Sequence, residues 1–368
     1  MKTMKRLLPL FTVMLFCLFL FPVGVKADTT IALNKWVTYT NNSDSYVSKQ
    51  VVFTAPANGY FTVTQKNRYA EGYRHDDDLY VIDRNNVELG YAYNGDGSTC
   101  TISATKGHKY YIKSDGIPYN GGTLKLYVTF KESSSWETEE NDTAVEADKL
   151  TNKKWKYGVL NASGHYDYFK IKLKKTSKVK LTFGPKSVGD DCSFHLTLYN
   201  TDNVDESIFS YVSSVSSKTI YLKKGTYYLR VSGTVDLPYK LKYQSSSFSV
   251  KKPVIKKVKR GEAYKSWWYG TKMRYFGTIS LKTKGTIDGY GVQIAKKSNM
   301  KSKISLSDSL KEKDCGTYSY SDTKSTIRRF KSQGFKRRTY YVRVRGYVYT
   351  AFDEKIYGSW SKAKRVKL

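Results

Sequence analysis

The chain has 368 residues, with 63 Lys and Arg against 32 Asp and Glu, giving a net charge of +31. That length exceeds one ordinary domain, and 40% apolar with 26% charged residues excludes a disordered chain. Only 4 His leave little material for imidazole catalysis or a His-based zinc site, while 33 Tyr are an unusual load.

In chain order, residues 1–27 read as a secretory signal peptide. Lys2, Lys5 and Arg6 give a positive start, residues 7–23 an apolar run, and Val25 and Ala27 small residues at a cleavage site. The competing reading is a retained anchor, but a run of about 17 residues is the lower limit of a spanning helix. No later stretch is apolar enough to span a membrane. The expected location is therefore secreted and extracellular, or associated with a cell wall. Export leaves Cys100, Cys192 and Cys315, one for each region defined next, which argues against an internal disulfide framework.

Beyond residue 30, apolar and polar residues alternate with period two, as in Tyr60-Phe61-Thr62-Val63-Thr64 and Tyr341-Val342-Arg343-Val344-Arg345. Polar stretches at 131–140 and 244–252 divide the chain into modules at 28–130, 131–252 and 253–368, with net charges of 0, +6 and +21. The expected fold class is all-β, three tandem β-sandwich modules. The first two look like an internal repeat. Each has an acidic entry to a strand (Asp76-Asp77-Asp78 and Asp190-Asp191), then Lys-Gly and a Tyr-Tyr strand (Tyr110-Tyr111 and Tyr227-Tyr228). A short helix is predicted around 142–150, with Asn141 or Asp142 as its cap.

Glu137, Glu139, Asn141 and Asp142 crowd hard oxygen donors at short spacing, with Asp167 further on. Calcium takes about six to eight oxygens from flexible segments, so this run is a candidate half-site; the alternative is a solvated acidic linker. Asp76, Asp77 and Asp78 form a weaker candidate, against a solvated turn, because adjacent like charges are costly unless solvated or neutralised by a cation. In the third module Tyr341, Arg343 and Arg345 share the outward face of one strand. They can stack on sugars and pair with anions, or simply keep a sheet face from pairing with another. The +21 charge suits a polyanion held by counterion release, and export argues against nucleic acid. No His-Glu-x-x-His, Gly-x-Ser-x-Gly, P-loop or dinucleotide fingerprint occurs, so no catalytic residue is assigned.

The pattern Glu137-x-Glu139-x-Asn141-Asp142-Thr143, followed by Ala147, Gly158 and Asp167-Tyr168-Phe169, resembles the bacterial pre-peptidase C-terminal domain over about 131–245. That family is a jelly-roll sandwich appended to secreted peptidases and other exported proteins. The collagen-binding modules of clostridial collagenases are similar to it and bind calcium through a matching acidic linker. The resemblance implies Glu137, Glu139, Asn141, Asp142 and Asp167 as calcium ligands. His165-Tyr166-Asp167 departs from the family, which carries two acids flanking one residue there. The first module shares Asp78-Leu79-Tyr80-Val81 and the Tyr-Tyr strand but not the acidic linker, and resembles a divergent copy. In the third module Gly289-Tyr290-Gly291, then Tyr340 within its strand, then Gly358-Ser359-Trp360-Ser361 resemble the fibronectin type III fold, which implies Tyr340 as a buried corner tyrosine.

These readings converge on a secreted bacterial protein without catalytic activity, stabilised by calcium, that attaches to an anionic cell-wall polymer, a polysaccharide or extracellular matrix. The alternatives are a secreted hydrolase, glycosidase or peptidase, with an unrecognised site, and an inert spacer.

Overall fold

The alternation in sequence becomes alternation in burial. Along β1 to β8 of the first module, the strands are Trp36–Asn41, Val47–Thr54, Gly59–Arg68, Leu79–Ile82, Glu88–Ala92, Thr99–Ala104, Lys109–Ile117 and Gly122–Glu132. Leu124, Leu126 and Val128 of β8 are fully buried while their neighbours face outward. The computed structural model describes residues 29–367 except 69–77, 93–96, 118–120, 162–165, 187–191, 266–272, 307–310, 316–325 and 332–337. The signal peptide reading, Asp76 and Asp77 lie outside the described residues.

The first module is two antiparallel sheets, ordered β1-β8-β3-β6 and β2-β7-β4-β5. The second module opens with β9 (Asp148–Lys149). Eight longer strands follow: β10 (Trp155–Val159), β11 (Asp167–Leu173), β12 (Ser177–Pro185), β13 (Phe194–Tyr199), β14 (Asp205–Val212), β15 (Ser216–Leu222), β16 (Gly225–Gly233) and β17 (Pro238–Ser247). Their sheets are ordered β10-β17-β12-β15 and β14-β13-β16-β11-β9. Setting β9 aside, the two modules have one topology, strand for strand. The third module pairs β18 (Val254–Lys265), β19 (Met273–Lys282) and β22 (Thr326–Lys331) in one sheet. Its other sheet contains β20 (Gly289–Ala295), β21 (Glu312–Asp314), β23 (Thr339–Tyr349), β24 (Lys355–Tyr357) and β25 (Lys364–Lys367). The fold is all-β, a row of sandwiches, with no helix among the described residues that is long and apolar enough to cross a membrane.

Aromatic side chains fill the cores. Phe53, Phe61 and Tyr110 pack together in the first module, and Phe169, Phe183, Phe194 and Tyr239 in the second. Each fully buried phenylalanine contributes about 1.5–3 kcal/mol of hydrophobic transfer. Cys100 and Cys192 lie buried in these two cores, and no disulfide joins the described cysteines. Tyr340, Val342 and Val344 of β23 are buried, with Tyr341, Arg343 and Arg345 on the opposite face, as the alternation predicts.

Two local expectations differ. β8 runs through Lys131 and Glu132, which pair with Tyr60 and Gly59, so the polar stretch begins as strand. No helix forms at 142–150. Thr143 Oγ1 accepts from the Glu146 backbone N–H and donates to the Glu146 carboxylate, closing a single turn. The chain then enters β9, which runs parallel to β11. Pairing with β11 satisfies backbone groups that so short a helix would leave open.

Candidate functional site

Four of the five candidate calcium ligands converge at the junction of the first two modules. Glu137, Asn141 and Asp167 are fully buried and Glu139 is 9% exposed. Glu137, Glu139 and Asp167 bring carboxylate oxygens within 4.8 Å of one another. Asp167 is the first residue of β11, where the pleat turns its side chain inward. The Glu137 N–H donates to the Tyr157 carbonyl at 2.8 Å and the Tyr168 N–H to the Asn141 carbonyl at 2.8 Å, which pins the acidic segment against β10 and β11. Asp142 is half-buried beside this group and helps push the Glu139 carboxyl upward.

The cluster is held by donors that the acidic run does not contain. Glu137 Oε1 accepts from Ser103 Oγ at 2.6 Å and from the Val159 N–H at 2.7 Å. Ser103 lies on β6 of the first module and itself accepts from Trp136 Nε1 at 2.8 Å. The Tyr239 hydroxyl lies 2.6 Å from Glu137 Oε2 and 2.5 Å from Asp167 Oδ2. Asn161 Nδ2 donates to Glu139 Oε1 at 3.1 Å. Gly158 makes this close approach feasible: a Cβ there would sit 2.1 Å from Glu137 Oε2 and 2.4 Å from the Tyr239 oxygen. From the first module, Thr105 Oγ1 also donates to the Glu139 carbonyl.

Burial raises all three carboxyls above the ordinary range. Neighbouring carboxylates add to the rise at Glu139 and Asp167. Tyr239 is held well above its usual value by burial and by the Asp167 and Glu137 carboxylates. Asp167 Oδ1, Asn141 Oδ1 and Asn161 Oδ1 are buried acceptors with no hydrogen-bond partner. So dense a set of acceptors requires protons or a cation. It is all oxygen, the donor chemistry of a hard divalent ion, and the asparagine amides can turn their oxygens inward. Glu139 also lines a cleft of about 380 Å³, with Asp83, Arg84, His108 and Glu140 among its walls, which gives the cluster a route to solvent. Asp78, the described member of the weaker acidic run, instead accepts from the Tyr80 hydroxyl at 3.3 Å.

A second feature braces the same junction. Tyr60 of the first module stacks on Trp136 at 4.1 Å, and Trp136 stacks on Tyr157 at 6.0 Å. The Lys186 ammonium lies 5.0, 4.8 and 6.0 Å from these three rings, a cation–π cap over the seam.

In the third module the outward arginines form a ladder. The Arg345 guanidinium lies 3.6 Å from the Tyr357 ring and 4.7 Å from the Trp360 ring, and that of Arg343 also lies 4.7 Å from the Trp360 ring. Arg343 also donates to Gln293 Oε1 at 2.6 and 2.9 Å. Tyr341 shares the face two residues from Arg343, beside Ala295 and Arg365 in register. The sequence reading missed Ser103, Gly158 as a spacer, Asn161 and Tyr239 at the first site, and Trp360 and Tyr357 in the ladder.

No protein-family model and no curated protein matches the chain. Among solved structures it is similar to a triple jelly-roll protein of an archaeal virus turret, at 11% identity, 82% of each chain and a TM-score of 0.21. It is also similar to a tandem CBM22 domain of Paenibacillus barcinonensis Xyn10C, at 8% identity, 59% of this chain, 94% of that one and a TM-score of 0.19. A third is peptide N-glycanase F, at 8% identity, 58% of this chain, 99% of that one and a TM-score of 0.21. Scores at this level assign no role, and the functional reading rests on the chain's own side chains.

Proposed function

We propose that this chain is an exported, non-catalytic protein that holds an extracellular polymer, with calcium at the Glu137–Glu139–Asn141–Asp167 cluster locking its first two modules together. The observation that carries the reading is that aromatic rings and cations are interleaved on the outer sheet faces, while the acid cluster is buried. Tyrosine and tryptophan faces with Arg and Lys between them are the surface chemistry that holds polysaccharides and polyanions. Glu137 and Asp167 lie out of reach of any substrate, which favours a structural cation over hydrolysis.

Calcium would be held by Glu137, Glu139, Asp167 and the Asn141 and Asn161 amide oxygens, and would supply the positive charge that this all-acceptor cavity lacks. Ser103 and Thr105, which bond to Glu137 and to the Glu139 backbone, would make that lock span both modules. The sheet order of the third module, three strands facing a four-position sheet with Tyr340 inside, supports the fibronectin type III resemblance. The repeat topology supports reading the first module as a divergent copy of the second.

The test is co-sedimentation of the 28–368 protein with purified Gram-positive walls across a salt series, with and without chelator. Retention that salt releases gradually supports the reading. Absence of any retention at low salt overturns wall attachment. A thermal midpoint insensitive to calcium overturns the cation.

A further inference from the structure

The outer face of the β14-β13-β16-β11-β9 sheet carries a second, independent arrangement. Cross-strand register places Tyr199, Tyr228, Lys170 and Lys149 in one row across β13, β16, β11 and β9. The next row is Thr197, Arg230 and Tyr168. All of these side chains face away from the core. The Arg230 guanidinium packs against two rings, 4.6 Å from that of Tyr166 and 5.1 Å from that of Tyr199. Lys170 lies 5.2 Å from the Tyr228 ring, and Tyr168 and Tyr199 are 6.4 Å apart.

Tyrosine on an outer sheet face is ordinary strand chemistry. The cations are not. Among the described residues Arg230 has no carboxylate partner, and its buried Nε has no hydrogen-bond partner. The Lys170 ammonium lies over an aromatic ring, with no ion pair to it among the described residues. A guanidinium packed on aromatic rings keeps N–H groups free of an acidic partner, and its planar fork accepts a carboxylate in two bonds. Asp205 stands at the far edge opposite Tyr199, so charge grades from that edge to the Lys170–Lys149 edge.

We infer that this face binds an acidic polysaccharide of uronate units, with pyranose rings stacked on Tyr228, Tyr199 and Tyr168 and carboxylates on Arg230, Lys170 and Lys149. Adjacent strands are about 4.8 Å apart, close to the advance of one sugar along an extended glycan, so neighbouring positions in a row can meet successive units. A polyol-phosphate chain would pair with the cations but has no ring in its backbone for the tyrosines, so charge and stacking together select a uronate. This deepens the polymer-binding reading and rests on it.

The experiment measures binding of the 28–368 protein to polygalacturonate, to its methyl ester and to a glycerol-phosphate teichoic acid, at low and at elevated salt. Polygalacturonate should bind, with at least tenfold weaker binding for the methyl ester and for Arg230→Gln. Tyr228→Ala should lose about tenfold and Tyr228→Phe should retain affinity, with thermal midpoints of all variants unchanged. Equal binding of wild type, Arg230→Gln and Tyr228→Ala would overturn this face while leaving polymer binding to the basic third module. Failure of polygalacturonate to bind, or tighter binding of teichoic acid, overturns the uronate assignment whether or not walls are sedimented.

Discussion

In the first module Asn67 of β3 pairs with Leu124 of β8; eight residues into the matching strand of the second module, Pro185 pairs with Tyr239. Both Leu124 and Tyr239 are fully buried. The repeat thus puts a plain hydrophobe and a hydroxyl at one topological position. The hydroxyl is tolerated because its one proton is taken by Glu137 or Asp167, and those acids are tolerated because Tyr239, Ser103 and the Val159 N–H surround them. The outer faces diverge in the same way. Lys113 of the first module occupies the place of Arg230, and Gln50 that of Tyr168. Lys113 lies 5.9 Å from the Tyr80 ring, and Arg230 lies 4.6 and 5.1 Å from the Tyr166 and Tyr199 rings. One topology therefore supports an apolar scaffold in one copy and a polar junction with a loaded surface in the next.

The comparison can be broken most forcefully in the second core. Phe183→Ala removes a ring packed against Phe194 and Tyr239 and should cost about 3–5 kcal/mol, read by chemical denaturation as early loss of the second module. Calcium at about a hundredfold above its dissociation constant should stabilise the second module by about 2.7 kcal/mol.

The pH dependence of the second module should have opposite signs with and without the ion. The raised carboxyls hold protons in the folded state beyond the ordinary range of about 4. Cation-free stability is therefore full at low pH and falls as pH rises through those raised values, whereas calcium displaces the protons and its stabilisation grows with pH. Melting curves at pH 5 and pH 8, with chelator or calcium, should cross.

Gly158→Ala should cost about 1–3 kcal/mol and erase the calcium response, because the added methyl meets the Glu137 and Tyr239 oxygens. The smallest effect is at Asp236. Its Oδ1 accepts from the Tyr91 N–H of the first module, and burial raises its pKa to about 6. Its contribution is complete below the unfolded value and is lost as pH rises through about 6. Asp236→Asn should remove that slope, with under about 1 kcal/mol gained at neutral pH because solvent screens the partly exposed group.

The strands, the sandwich class and the acidic run were legible because each is written in local spacing. The helix at 142–150 was misread because composition compatible with a helix does not outweigh a ready partner strand, here β11. Ser103 was invisible for a different reason: it lies 34 residues before Glu137, on a strand of another module. Tyr239 left a signal, since Tyr239, Leu241 and Tyr243 alternate inward and a buried tyrosine hydroxyl needs an acceptor. The tyrosine–arginine face was illegible because its rows join residues about thirty to sixty apart in sequence, and only register reveals them.

The two buried thiols give this architecture a means of reporting on itself. Burial, with Asp236 and Glu88 nearby, pushes the Cys100 thiol well above its usual value, so it does not react while the first core is closed. Cys192 is enclosed in the second core. Alkylation at each sulfur then proceeds only through opening of its own sandwich, so the two labelling rates become separate clocks for the two copies. Calcium bound at the junction should slow the clock at Cys192, and should slow the one at Cys100 only as far as Ser103 and Thr105 carry the restraint across the seam.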